Sequence, residues 1–279
     1  MNCSFALSKQ EIFGIVLIMS VVAMTILSLL LENLSGFGHS KPLYSPPSPE
    51  NWLGTNDIGE DVLTILLKGS RISLSVGFLG AAVSTLLGTF AGIAAGYFGG
   101  LLDESLGALT DFFLVVPALP LMIVLAAYLG PSFINVIAVI GLLWWPTTSR
   151  LVRARARQVS GSLFVEGLVG IGAGRVRIIF RHLLPNVLGV VFARFVLAVS
   201  SSILLESGLS FIGLGDPNHP SWGMILHYAI TRGALLYGAW WTFMPAGICI
   251  AVTSLGFMLV GMGIERRSRL STMRIGEAT

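Results

Sequence analysis

Twenty consecutive residues, Ile12 to Leu31, carry no charge. A run of that length spans the hydrocarbon core of a bilayer as a helix. It is too long for the core of a signal peptide and lacks a small-x-small cleavage site, so it reads as a retained first span. Further apolar runs follow at Ile72–Phe98, Gly107–Leu129, Pro131–Ser149, Val187–Leu205 and Ala239–Ile264. Inside lipid every backbone polar group must be satisfied within the segment, so the chain is expected to be all-α and polytopic, with six transmembrane helices. Composition agrees: 54% of residues are hydrophobic and 11% charged, against about 25% charged in soluble domains.

Charge sets the expected orientation. Arg150, Arg153, Arg155, Arg157, Arg175, Arg177 and Arg181 face a single acid, Glu166, between the fourth and fifth apolar runs. Basic excess beside spans marks the cytoplasmic side. Arg266, Arg267, Arg269 and Arg274 do the same for the tail, and both termini are expected inside. This distribution reports topology and gives no reason to expect nucleic-acid binding. Cys3 and Cys249 are far apart and define no disulfide framework or metal site. The expected organisation is residues 1–71 as a first helix and extracytoplasmic segment, 72–265 as a core of five spans, and 266–279 as a cytoplasmic tail.

The basic loop, 150–182, is too long for a simple connection. Glycines at 167, 170, 172 and 174 argue against one long helix. The pattern predicts helix, glycine turn, helix, with Pro185 in the first turn of the next span, where its missing N–H is not needed. Gly80, Ser84, Gly88, Gly92 and Gly96 put a small residue on one helical stripe. Such stripes let membrane helices approach closely, either within the subunit or against another one.

Three ionisable residues stand out in or beside the spans as candidates for a translocation path: Asp111, Arg194 and Glu206. An arginine at mid-bilayer costs at least ~2.5 kcal/mol on insertion scales. Arg194 is therefore expected to face protein or water, either lining a translocation path or pairing with an acid such as Glu206 or Asp111. Asp111 reads as a solvated span end or as a polar contact beside a gate. Asp57, Glu60 and Asp61 read as a solvated interfacial turn. Glu206 to Tyr237 is expected outside as a looped hairpin rich in Gly and Pro. His219 and His227 lack the spacing of metal ligands, and no metal site is expected.

Several blocks resemble a known family. E-G-x-x-x-x-G (Glu166, Gly167, Gly170 and Gly172 lie in it), followed by I-x-x-x-x-L-L-P-N ending at Pro185–Asn186, resembles the "EAA" loop of bacterial ABC importer permeases. Gly167–Leu168 stand where that family usually has Ala-Ala. Gly54, Thr55, Asp57, Gly59 and Asp61 resemble the G-T-D-x-x-G-R-D block of its dipeptide/oligopeptide/nickel branch, with Glu60 in place of Arg. S-F-I-G-L-G and P-S-W-G (Ser210–Gly215, Pro220–Gly223) resemble the same branch.

The resemblance implies a permease subunit in a bacterial or archaeal plasma membrane, working with a sister permease, one or two cytoplasmic ATPases and an extracytoplasmic substrate-binding protein. It implies that residues 150–182 couple to the ATPases and that peptides, or alternatively nickel or a metal chelate, are carried. ATP and Mg would be held by the ATPases. This chain has no G-x-x-x-x-G-K-[ST] phosphate loop and is not expected to be an enzyme. A secondary carrier is the rival class, but no inverted repeat is visible between the halves. A non-transporting membrane scaffold is a further alternative.

Overall fold

A computed structural model describes residues 7–32 and 42–276, with side chains over 7–30 and 42–268. Cys3 lies outside the described residues. The described chain is helical and has no strand, only an isolated bridge between Thr55 and Asp61. The helices are α1 (Lys9–Glu32), α2 (Val62–Phe98), α3 (Gly100–Val115), α4 (Ala118–Leu129), α5 (Phe133–Ser160), α6 (Leu163–Gly170), α7 (Arg175–Ile178), α8 (Leu184–Phe211), α9 (Trp222–Thr231) and α10 (Met244–Gly276). A π-turn, Ile179–Leu183, joins α7 to α8, and a 3₁₀ turn, Trp240–Thr242, precedes α10.

Four helical stretches are long and apolar enough to cross a membrane: Lys9–Leu30, Val62–Phe98, Arg175–Phe211 and Trp240–Ser268. A fifth exists if α3 and α4, bent by 90°, count as one broken span. By length and composition these account for four of the six expected spans, or five with the bent pair. The expected third span breaks at Val116–Pro117, where Pro117 is the N-cap of α4 and its ring disfavours helical geometry in the residue before it. Helix α3 begins at Gly100, so the turn expected over 99–106 is helical. Helix α5 is apolar only in its first half. It then carries Arg150, Arg153, Arg155 and Arg157 beyond the apolar run.

Helix α2 is the post on which the bundle is built. It starts ten residues before the expected span, because Asp61 caps it: the carboxylate accepts from the Thr64 N–H at 3.0 Å and the Thr64 hydroxyl at 2.8 Å, satisfying orphan donors of the first turn. The boundary expected at residue 71 thus falls inside a helix. Its 37 residues reach about 55 Å at helical rise, so its two ends lie at opposite ends of the bundle. The small stripe packs within the subunit, against α5. A Cβ on Gly88 would lie 2.6 Å from the Trp145 carbonyl oxygen, on Gly92 2.7 Å from that of Ser149, and on Gly96 2.7 Å from that of Arg153. Backbone meets backbone there, and no side chain larger than hydrogen fits.

Helix α1 joins through a second glycine contact. Gly14 faces Gly256 of α10, and the buried Glu11 pairs with Arg267. Helix α10 continues to Gly276, so the expected tail from 266 is largely helical. Helix α8 runs to Phe211, six residues past the expected end of that span, and so takes in Glu206. It ends in a Schellman cap: Leu214 N–H reaches the Leu209 carbonyl and Gly213 N–H that of Ser210, with Gly213 at φ +91°.

Candidate functional site

At the C-terminal end of α2, three arginines of α5 meet two acids of α3. Asp103 is 5% exposed. It accepts from Arg153 Nε at 2.5 Å and from Arg157 Nη2 at 2.8 Å. Asp111 takes Arg150 at 2.7 Å in the open. Arg150, Arg153 and Arg157 follow i, i+3, i+7, one face of a helix, and the two acids are eight residues apart on α3. The pairing fixes α3 antiparallel along the basic end of α5. Gly107 leaves room for it: a Cβ there would lie 3.0 Å from the Arg153 guanidinium. Sequence reasoning read these arginines only as a topology signal and Asp103 as part of a turn. The matching periodicities were the signal it missed.

Beyond this clasp the chain makes a short elbow. The loop expected over 150–182 is mostly helix: α5 claims its residues through Ser160, and from Arg175 the chain is helical into α8. The non-helical pieces are Gly161–Ser162 and Ile171–Gly174. Helix α6 hangs between them. It buries Val165 (3% exposed) and presents Leu163 (86%) and Phe164 to the surroundings, and the turn after it presents Ile171 (82%). An apolar surface beside exposed arginines in a solvent-facing elbow is the mark of an interaction site.

The elbow closes on one glycine. Gly172 has φ +79°; its N–H bonds the Val169 carbonyl, and the Ala173 N–H bonds that of Leu168. This is a second Schellman cap, and its left-handed position favours Gly. A Cβ on Gly167, Gly170 or Gly174 would touch nothing. Of the glycines singled out here, Gly172 alone is demanded by this chain's own geometry. Glu166 lines a cleft of about 600 Å³ between α6 and the junction of α2 and α3, together with Phe98, Arg157, Val169 and Arg175. Pro185 lies in the first turn of α8, as expected. The π-turn before it gives the Leu184 N–H an acceptor in the Ile179 carbonyl, and Asn186 Nδ2 caps the His182 carbonyl at 2.7 Å.

The other singled-out residues do not converge. Asp111 sits at the elbow end. Arg194 is half-buried on α8, and its Nε makes no hydrogen bond. The acid whose charge reaches it is Glu265 of α10; the two acids expected as its partners are engaged elsewhere. Glu206 is 2% exposed and enclosed by serines: Ser210 donates at 2.6 Å, with Ser207 and Ser73 at 3.4 and 3.5 Å.

The segment after Glu206 folds back into the bundle. Trp222 is wholly buried. Its backbone N–H donates to Ser73 Oγ and its indole N–H to the Leu66 carbonyl, both at 3.0 Å. The irregular stretch 212–221 is thus anchored at its end, with Gly215 and Ser221 buried while Ile212 and residues 217–219 stay exposed.

The expected solvated turn at 54–61 is a built structure as well. The Thr55 hydroxyl, fully buried, donates to the Pro42 carbonyl at 2.7 Å, and Asp57 pairs with Arg232 at 2.7 Å. His219 bonds Asp216 and His227 the Phe211 carbonyl. Among the described residues no cluster suited to a metal ion occurs.

A multi-pass helical bundle carrying an exposed apolar elbow at one end and an irregular segment anchored into the helices at the other defines a membrane protein of the transport-permease class. The family model for the binding-protein-dependent transport system inner membrane component matches residues 88–270, and the chain belongs to that family. It is 33% identical to the dipeptide transport system permease protein DppC of Alkalihalophilus pseudofirmus, over 92% of this chain and 84% of that protein. It is 30% identical to the oligopeptide transport system permease protein OppC of Bacillus subtilis, over 94% of this chain and 85% of that one. A putative peptide permease protein of Brucella suis is 33% identical, over 92% and 86%.

Proposed function

We propose that this chain is one of two membrane subunits of an ATP-driven importer of peptides. The relatives described above are named for dipeptides, oligopeptides and peptides, which favours peptide over nickel or a metal chelate as cargo. The partners are a sister permease, one or two cytoplasmic ATPases that hold ATP and Mg, and an extracytoplasmic binding protein. The elbow and both termini face the cytoplasm, as the arginines around α6 favour.

The observation that carries this reading is the elbow. Its apolar residues are exposed on a short helix whose end is fixed by one left-handed glycine, and whose base is clasped to α3 by buried Asp103. A rigid projection of that kind transmits a push. Nucleotide-driven closure of the ATPases would turn α5 and α8 through it and open the path between the two permeases alternately outward and inward. The elbow biases that equilibrium only through contacts that differ between the two states. Asp111, Arg194 and Glu206 remain candidates for the path. Arg194 is the strongest, since its guanidinium is half-buried with an unpartnered Nε.

The test joins a cysteine at Ile171 to the ATPase by cross-linking and measures peptide uptake. Cross-linking in the assembled complex is expected. Gly172→Pro and Glu166→Lys are expected to leave assembly detectable and to uncouple ATP hydrolysis from uptake. Uptake that persists without the ATPase would make the chain a secondary carrier.

A further inference from the structure

At the end of α2 opposite the elbow lies a second cavity, of about 460 Å³. It is formed by the 42–61 segment, the first turns of α2, the 217–220 loop and α9. That volume is in the range of small-ligand sites. Four charged side chains line it, two of each sign: Asp57, Glu60, Lys68 and Arg232. They are not equivalent. Asp57 and Arg232 neutralise one another at 2.7 Å. The Arg232 guanidinium also lies 4.2 Å from the centre of the Tyr228 ring, and the Tyr44 hydroxyl donates to the Arg232 carbonyl at 2.6 Å. This pair with its two tyrosines is a finished wall.

The remaining two charges are not spent on each other. Lys68 makes no ion pair or hydrogen bond among the described residues. Glu60 is held in place through one oxygen, which accepts from Asn56 Nδ2 at 2.9 Å, and through its own N–H, which donates to Asn56 Oδ1 at 2.8 Å. Its other carboxylate oxygen has no hydrogen-bond partner among the described residues. A half-enclosed cleft therefore offers one fixed carboxylate, one free ammonium and aromatic flanks. The complement is a small zwitterion: an ammonium for Glu60, a carboxylate for Lys68, and an apolar body against the wall that carries the tyrosines.

We infer that this cavity is a subsite of the permease itself for the termini of a short peptide. The ammonium end is taken by Glu60 and the carboxylate end by Lys68, at the point where cargo enters the chain. The inference rests on the peptide reading above and adds a site to it.

The test is saturation-transfer NMR on the detergent-solubilised complex without its binding protein, with Ala-Phe at millimolar concentration as probe. Ala-Phe is expected to bind, and its C-terminal amide and its N-acetyl derivative to bind about tenfold more weakly or less, the scale of one charge-assisted hydrogen bond. Lys68→Met should abolish the preference for the free carboxylate and Lys68→Arg should retain it. Glu60→Gln should abolish the preference for the free amine. Each variant is first shown to assemble by size-exclusion chromatography.

Equal binding of all three probes, or unchanged preferences in the variants, overturns the subsite. So does binding of glycerophosphoethanolamine in place of Ala-Phe, which would make it a lipid-headgroup site. Import by the wild-type complex with its binding protein, measured in proteoliposomes, separates the two claims. Import without the subsite preferences sinks only the subsite, and subsite binding without peptide import sinks only the importer reading.

Discussion

Asp103 shows how one residue decides the direction of a helix. Buried acids are rare unless paired, and this one takes two arginines from successive turns of α5. Removing its charge leaves Arg153, 31% exposed, without its carboxylate. A hydrogen bond to a charged group is worth roughly 1.5–3 kcal/mol, and Arg157, more exposed, adds less. Asp103→Asn is expected to lower the apparent Tm of the solubilised chain by several degrees. Asp111→Asn, whose ion pair is open to solvent, should leave it within error in the same thermal-unfolding assay. The acids look alike in the sequence; burial separates them. Gly172 is set apart from Gly167 and Gly170 in the same way, by a positive φ that a string of glycines cannot reveal.

Among the elements, the α2–α5 seam is the most demanding. The stripe of small residues was legible as close packing, but its partner was open, since another helix of this chain or a second subunit satisfies the same spacing. Carbonyl oxygens of α5 now occupy the space where side chains on Gly88, Gly92 and Gly96 would stand. Overpacking a fitted contact costs typically ~1–3 kcal/mol. A leucine at Gly92 must also push backbone aside, so the upper end applies. Gly92→Leu is expected to reduce the yield of folded chain and to expose both helices to amide exchange, measured by mass spectrometry. Gly208→Leu, where a Cβ would meet nothing within 4 Å, should be tolerated in the same measurement.

Over the whole molecule, the end opposite the elbow is tied together by polar contacts between distant segments. Asp216 joins the 212–221 loop to α5 by accepting from the Phe133 N–H at 3.1 Å, and it holds His219 at 3.0 Å. Burial acts to raise its pKa, but the bonds from His219 and from the Asn218 and Phe133 N–H groups outweigh it and hold the carboxyl below the usual range. A carboxylate depressed in this way stabilises the fold above its ordinary titration and loses that contribution as pH falls through the lowered value. Amide exchange at Phe133 is therefore expected to be slow at neutral pH and to quicken only below the ordinary carboxylate range, relative to exchange in the middle of α5. Asp216→Asn should remove the pH dependence.

The sequence by itself determined the class. Apolar runs of bilayer length read as helices, because lipid offers no partner for an unpaired backbone group. The basic segments ordered those helices, and the motifs at Glu166–Gly172 and Ser210–Gly223 pointed to the family. Tertiary structure alone decided where the helices begin, break and end. The bend at Pro117, the start of α2 at Asp61 and the run of α5 and α8 into the elbow depend on caps and ion pairs between residues far apart in the chain. It also decided which charges are free. Asp57 and Arg232, or Asp103 and Arg157, find each other only when the helices pack, and Lys68 and Glu60 stand out because they do not.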